Sequence, residues 1–359
     1  MQNYHILKEV DIKDTFKNDV LKGIFEIDMQ KIITEKNHTL HFDEFDFNIG
    51  CIIGTSGSGK TQLAREISIQ NNIPLIEKNT WNDDSLISNF DCEVKEAVTF
   101  LSKIGLNTQL SYLKPYHILS NGEKFRADLA LSLFNNDYVI IDEFTSLVDR
   151  QVAKVCCISV AKLIKKYNKK VIFVSCHNDF LEWLQPCWVY DLNTQEFKNT
   201  KDLLWQREKL QFRITRGEPK HWNMFKEFHY LSHSFNKLCN NIFLLHFKSY
   251  VIGFCAFLPM PHPKRKFMRV HRIVIHPDFQ GLNLGTLFLK ECCQLIKEKY
   301  KDFHIILNTG LKSFAFALKK DKDFICYHNS YSNSKCNEGL SKLNKHKKIK
   351  YISFKYIGK

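Results

Sequence analysis

The sequence predicts two joined domains: an α/β domain built on a mostly parallel sheet, then an α+β domain. Three observations predict this. Over residues 1–200, short apolar runs alternate with helix-periodic stretches, the pattern left by strands and their crossover helices. An apolar strand ending in CIIG runs straight into a glycine-rich loop and then a helix, TQLAREISIQ. The charge also changes sign along the chain. Residues 1–200 hold 22 Lys and Arg against 27 Asp and Glu, whereas residues 201–359 hold 30 against 11. The reversal falls near FKNTKDLLWQREKL (197–210), which sets the expected domains at 1–205 and 206–359.

In order, the first half reads as a partly alternating β-rich stretch (FEIDMQKIITEKNHTLHFDEFDF), strand CIIG, helix TQLAREISIQ, short strand IPLIE and a helical stretch at 93–104. A helix opened by LSNGE follows, then strand YVIID, a helix over 149–167 and strand KVIFVSC. The second half reads as strand LQFRITR, helix HWNMFKEFHYL, hairpin IFLLHF-KSY-VIGFCAF and strand MRVHRIVIH. A helix over 285–299, strand FHIILN, a short helix and terminal strands near ICYH and KYISFKYI complete it.

At 359 residues, with 44% hydrophobic and 25% charged residues, the composition is that of folded domains. The opening MQNYHILKEVDIKDTF lacks the apolar core of a secretory signal, and no run approaches the roughly 18 apolar residues of a spanning helix. The expectation is a cytoplasmic protein with no membrane partner. Its 12 cysteines are dispersed with no C-x-x-C, so they read as small buried hydrophobes in a reducing compartment.

GTSGSGKT, from Gly54 through Thr55, Ser56, Gly57, Ser58, Gly59 and Lys60 to Thr61, fits the P-loop pattern in its strand-to-helix context. The glycines let backbone N–H groups approach phosphate oxygens, Lys60 reaches the β- and γ-phosphates, and the Thr61 hydroxyl is a Mg²⁺ ligand. Downstream, YVIIDEF places two carboxylates at the end of an apolar strand. Asp142 suits Mg²⁺ and Glu143 suits polarising the attacking water. Ser120 and Gly122 open a helix whose N-terminus suits phosphate. Asp149 opens the next helix, and His177 ends the next strand. Alone, His177 is a strand-end histidine; fourth in this order, it is a candidate catalytic residue.

The order GTSGSGKT, LSNGE, IIDEF, SLVD, CHND resembles the ABC-type ATPases: P-loop, signature, Walker B with catalytic Glu, D-loop and switch His. That resemblance implies ATP and Mg²⁺ as cofactors, and an ATP-dependent homodimer in which the signature of one subunit closes on the P-loop of the other. Ser120 and Gly122 match the signature, whereas Asn121 and Glu123 depart from its usual Gly and Gln. Only 57 residues separate Thr61 from Leu119, too few for the long coiled coil of chromosome-condensation ATPases. Asn79, Trp81 and Asn82 occupy the Q-loop region without a Gln, and Phe25 and Phe45 are two of the candidates for the adenine-stacking aromatic.

In the second half, HPDFQGLNLGTLFL leaves a strand and enters a helix, so successive N–H groups are exposed to a pyrophosphate. It resembles motif A of the GNAT acetyltransferases, which implies acetyl-CoA held by Gln280, Gly281, Asn283 and Gly285, Asn283 replacing a usual glycine. EFHYLSHSF and RVHRIVIHPD resemble segments of the GNAT-like Mom DNA-modification proteins of phages. Sequence physics alone makes His229 and Tyr230 a helix-end pair packed under the sheet. The resemblance makes them catalytic, His229 relaying a proton and Tyr230 donating one or stacking a base, with Arg272 and Asp278 orienting loop and substrate.

The whole chain resembles a family of phages and bacteria: an ABC-type P-loop ATPase domain followed by an α+β GNAT-like acyltransferase domain. For a phage-encoded member the compartment is the host cytoplasm. Basic runs at 263–272, 319–322 and 342–350 imply a nucleic-acid partner, DNA ahead of RNA. The expected function is ATP-coupled modification of a nucleic-acid base with an acyl-CoA-derived group. The alternatives are an ATP-dependent regulatory or defence switch whose GNAT-like domain is not catalytic, and a transporter ATPase.

Overall fold

A computed structural model describes residues 2–27, 30–44, 46–200, 210–229, 234–236, 238–332 and 349–358. Its elements, in chain order, begin with β1 (Gln2–Asp11), α1 (Phe16–Phe25), β2 (Lys31–Leu40), β3 (Ile49–Ile53), α2 (Lys60–Asn71) and β4 (Leu75–Ile76). They continue with α3 (Val94–Ile104), α4 (Gln109–Tyr112), α5 (Asn121–Asn135), β5 (Tyr138–Ile141), α6 (Arg150–Tyr167), β6 (Lys170–Ser175), α7 (Leu181–Leu184), β7 (Trp188–Asp191) and β8 (Glu196–Asn199). Then come β9 (Phe212–Arg216), β10 (Asn241–Phe247), β11 (Tyr250–Met260), β12 (Phe267–Ile275), α8 (Leu284–Lys299), β13 (His304–Thr309), α9 (Lys312–Lys320), β14 (Phe324–Ser332) and β15 (Ile349–Tyr356). No helix among the described residues is long and apolar enough to cross a membrane.

The chain divides into two compact units. Unit 1 comprises Met1–Ile104 and Lys114–Arg207; unit 2 comprises Glu208–Lys359 and also Gly105–Leu113. The sequence carries no signal for that excursion: residues 105–113 are flanked on both sides by unit 1 yet fold with unit 2.

In unit 1 a six-stranded sheet has the order β4-β5-β6-β3-β7-β8. β3 runs parallel to both β6 and β7, and β5 parallel to β6, while β8 is an antiparallel edge. Parallel strands discharge their loops at one edge, so the segments after β3, β5 and β6 gather there. All five residues of β3 are buried, as a strand covered on both faces requires. A separate antiparallel ribbon, β1 with β2, has α1 between its strands. Neither β1 nor α1 is evident in the sequence: α1 buries none of its residues, and β1 sends only Tyr4 and Ile6 into the core while Leu7 and Val10 stay exposed, too short an alternation to mark a strand.

Unit 2 holds a seven-stranded sheet ordered β14-β15-β13-β12-β11-β10-β9. β12 and β13 are parallel and pair only over Phe267–Arg269, so β12 runs on toward its C-terminal end without β13 beside it. The expected helix HWNMFKEFHYL is instead two 3-10 segments, Pro219–Met224 and Lys226–Phe228. Its large apolar residues, Trp222, Phe225 and Phe228, recur every three positions, the period of a 3-10 turn, and they pack with Phe254 in one core cluster. A mutual cap between Glu218 and His221 opens the first segment.

Candidate functional site

The phosphate loop of unit 1 leaves β3 and ends where α2 begins. Gly57 and Gly59 adopt φ of 78° and 104°, left-handed values that favour glycine and let loop N–H groups turn toward one centre. A Cβ on Gly54 would lie 2.8 Å from Ser58 Oγ and 3.1 Å from Leu192 Cβ, so the loop packs closely here. Lys60 is 9% exposed, and its Nζ donates to the Thr55 carbonyl at 2.7 Å. The Thr55 N–H and hydroxyl both lie within hydrogen-bond distance of Asn193 Oδ1, at 3.2 and 3.0 Å. Gly50, beneath the loop on β3, lies so close to the Trp188 indole that a Cβ there would overlap it.

At the end of β5, Thr61 Oγ1 donates to Asp142 Oδ2 at 2.7 Å, while Asp142 Oδ1 accepts from the Glu143 N–H at 2.8 Å. Two oxygen ligands from separate motifs therefore stand side by side, the donor set that Mg²⁺ takes when phosphates and water complete its shell. Glu143 is exposed, with φ of 52°, and Thr145 has φ of 65°. Such values are costly for residues bearing a Cβ and cluster at functional turns. Phe144 between them is buried and bonded to β6 through Val174 and Ser175, which holds the turn in place.

His177 is half-buried at the end of β6, its N–H donating to Ser175 Oγ at 3.1 Å. Asp149 caps α6, accepting from the Gln151 N–H at 2.8 Å. Arg150, which sequence reasoning did not single out, joins these loops. Its guanidinium forks onto the Asp179 carboxylate and donates to the Thr145 carbonyl at 3.3 Å, tying the loop after His177 to the turn after Glu143. A basic residue just after Asp149 and an acidic one just after His177 were the available signal.

The signature turn forms a complete capping box. Ser120 Oγ accepts from the Glu123 N–H at 3.3 Å, and Glu123 Oε2 accepts from the Ser120 N–H at 3.0 Å. Gly122 follows within the first turn of α5, its carbonyl accepting from Arg126 at 3.3 Å. Glu123, the departure from the usual Gln, thus serves as the reciprocal cap and places a carboxylate at this helix end. In the Q-loop region, Asn79 and Trp81 donate to Asp128 of α5 at 3.2 and 2.8 Å, and Tyr116 donates to it at 2.6 Å. These side chains brace the signature helix. Phe25 is 66% exposed at the end of α1, and Phe45 lies outside the described residues.

In unit 2 the loop after β12 turns through two left-handed residues. Gly281 and Asn283 take φ of 97° and 60°, so the asparagine accepts the left-handed turn and caps α8. Gly285 lies 3.6 Å, by a built Cβ, from Phe314. Thr286 in the first turn is 3% exposed, and its hydroxyl has no hydrogen-bond partner among the described residues. The Gln280 side chain is a bridge: its Nε2 donates to the Ile275 carbonyl at 2.9 Å and its Oε1 accepts from the Asn107 N–H at 3.1 Å. Asn107 belongs to the 105–113 excursion of this same unit.

His229 is 8% exposed, edge-on to Trp222 at 5.6 Å between centroids. Tyr230 lies outside the described residues. A register shift between β11 and β12 leaves His271 as the extra residue of a bulge, between Val270 and Arg272. His271 Nε2 accepts from the Asn236 N–H at 3.2 Å; burial, then the charges of Arg272 and Arg269, push its pKa down to about 4. Arg272 donates to the carbonyls of His271 and Ser234 at 2.8 and 2.9 Å, so it holds the 234–236 segment, and Asp278 pairs with His276 at 3.6 Å.

Residues 178–318 match the acetyltransferase (GNAT) family. The match takes in β9 to α9, with the loop at Gln280 inside it, and begins within unit 1. An ATP-binding cassette in a dimeric, post-hydrolysis state bound to ADP and Pi is similar at 15% identity over 48% of this chain and 94% of that one, with a TM-score of 0.38. A cassette from Clostridium perfringens, part of an ABC transporter complex, is similar at 16% identity over 55% and 90%, TM-score 0.38. A GNAT-family acetyltransferase from Streptococcus pneumoniae is similar at 15% identity over 41% of this chain and 100% of that one, TM-score 0.32. No curated protein matches the chain. Unit 2 carries most of the residues that match the GNAT family, and in unit 1 the loops after β3, β5 and β6, which hold the motifs at 54–61, 142–143 and 177, lie at one edge of the parallel sheet.

Proposed function

We propose that the chain binds and hydrolyses ATP in unit 1, and that unit 2 uses acetyl-CoA or a related acyl-CoA to modify nucleic acid, DNA ahead of RNA. The observation that carries the ATPase part is the Thr61–Asp142 pair at 2.7 Å, which joins P-loop and Walker B at one point beside Lys60 and Glu143. Mg²⁺ fits these two oxygens and would supply charge neutralisation at the phosphates. The loop N–H groups and Lys60 hold the phosphates; Glu143 orients and polarises the attacking water; His177 and Asp149 stand at the same sheet edge. Ser120 and Gly122, at the N-terminus of α5, present N–H groups to a nucleotide held by a second copy, which makes the working form an ATP-dependent homodimer.

In unit 2, Gly281 and Asn283 shape a loop of exposed N–H groups at the start of α8, and Gln280 and Gly285 complete it. The thioester would lie where β12 parts from β13, with His229 and Tyr230 as the residues proposed to relay the acceptor's proton. An excess of 30 basic over 11 acidic residues in 201–359 supports the nucleic-acid partner.

The test is nucleoside mass spectrometry on DNA and RNA from cells expressing wild type, Lys60→Ala and His229→Ala. A new nucleoside mass lost in both variants is the expected result. ATP hydrolysis by the purified protein without any new mass would replace the modification reading with an ATP switch.

A further inference from the structure

We propose that Lys36 is a second phosphate-loop lysine, a positioning residue that sets nucleotide affinity from outside the P-loop motif. The proposal rests on ATP binding in unit 1.

Lys36 stands on β2, opposite Ile6 of β1. β1 is fastened to the helix that follows the phosphate loop: Gln2 donates to Asn71 of α2 at 3.0 Å, and Asn71 donates to the Tyr4 hydroxyl at 3.0 Å. The ribbon is therefore built against the loop's own helix. Alternate residues of a strand share a face, so Lys36, His38 and Leu40 point the same way. His38 and Leu40 are 3% and 0% exposed, which makes this the inward face. A lysine on an inward face needs a partner, and Lys36 has one: its Nζ donates to the Ser58 carbonyl at 2.6 Å.

The contact is specific to the phosphate loop. A Cβ built on Gly59 would lie 3.9 Å from Lys36 Nζ. The loop turn is closed by the Ser58 N–H on the Thr55 carbonyl at 3.2 Å, and Lys60 also donates to that carbonyl at 2.7 Å. Two ammonium groups thus engage the carbonyls at both ends of one turn, Lys60 on Thr55 and Lys36 on Ser58. When Lys60 leaves Thr55 for a phosphate, Lys36 remains to hold the Ser58 peptide, and with it the Gly59 N–H, in its phosphate-facing setting. Burial and then the charge of Lys36 lower the pKa of His38 on the same face. Lys36 also adds a cation beside the site of a polyanion.

Titration calorimetry of the full chain with Mg²⁺ and a non-hydrolysable ATP analogue tests this, using wild type, Lys36→Met, Lys36→Arg and Lys60→Ala. Lys36→Met should weaken binding about tenfold, the scale of a lost charge-assisted hydrogen bond, and Lys36→Arg should recover most of that loss. Nucleotide-free melting temperatures should stay within about 3 °C of wild type, and KM for ATP should rise while kcat at saturation stays within about twofold. Wild-type affinity in Lys36→Met overturns the proposal. So does a variant that loses melting temperature and kcat with no rescue by arginine, because Lys36 would then be a fold contact only. Absence of analogue binding by wild type would refute ATP binding itself, and the proposal with it.

Discussion

Glu143 has a backbone conformation that a side chain with a Cβ resists, yet its neighbours Asp142 and Phe144 are buried and bonded on either side. The turn therefore keeps Glu143 exposed directly after Asp142, whose other carboxylate oxygen accepts from Thr61. Glu143→Gln should keep ATP affinity, reduce hydrolysis by at least about a hundredfold and accumulate an ATP-dependent dimer, read by light scattering after gel filtration. A variant with normal turnover would remove Glu143 from its role. His271 makes a different kind of prediction. Its folded pKa, about 4, lies below the usual value of 6.5, so the unfolded chain binds the proton more readily. Its contribution is intact above pH 6.5 and is lost as pH falls toward 4. Melting temperature should drop over that window in wild type and drop less in His271→Gln. Lys60, Thr61, Asp142 and Glu143 were legible as candidates because the first two stand in a consecutive motif and the last two end an apolar strand. Lys36, Asn193, Arg150 and His271 were not, since each acts through a partner distant in sequence or through a bulge.

At the scale of elements, α5 shows what one departure from the expected motif does to a helix end. The Ser120–Glu123 box satisfies two orphan donors, but it sets a carboxylate where a partner's γ-phosphate is expected. Glu123→Gln retains an acceptor for the Ser120 N–H while removing the charge. In the Glu143→Gln background it should tighten ATP-dependent dimerisation about two- to fivefold, measured by sedimentation equilibrium. Looser association would make the carboxylate a required part of the clamp. β3 offers a stability test. Gly50→Ala drives a methyl into the Trp188 indole, and a core overpacked in this way typically costs about 1–3 kcal/mol, visible as a lower denaturation midpoint and weaker ATP binding together. The strands were readable because buried parallel strands are continuous apolar runs. The helix expected at 221–231 was not one, because Trp222, Phe225 and Phe228 satisfy a period of three as well as a helical one.

Across the whole molecule, charge and connectivity set the tests. If unit 2 grips a nucleic-acid backbone, affinity for a DNA duplex should fall steeply with salt, with a log–log slope steeper than about −3 in fluorescence anisotropy. A flat salt response would leave the positive charge as a solubility feature. The excursion at 105–113 has its own consequence, since Asn107 holds the side chain of Gln280. Gln280→Ala should weaken acetyl-CoA binding by a few-fold in calorimetry while leaving the unit folded.

The sequence by itself determined the order of domains, the glycine-rich loop between β3 and α2, the helix that opens at Ser120 and the glycine-asparagine turn of unit 2. Those features depend on local spacing, on turns that require particular φ values and on apolar runs, all written in consecutive residues. Only the tertiary structure decided that Lys36 reaches the phosphate loop, that Arg150 links two loops and that residues 105–113 fold with unit 2. Strand pairing and parallel crossovers bring such residues together from far along the chain, and a linear pattern holds no record of that distance.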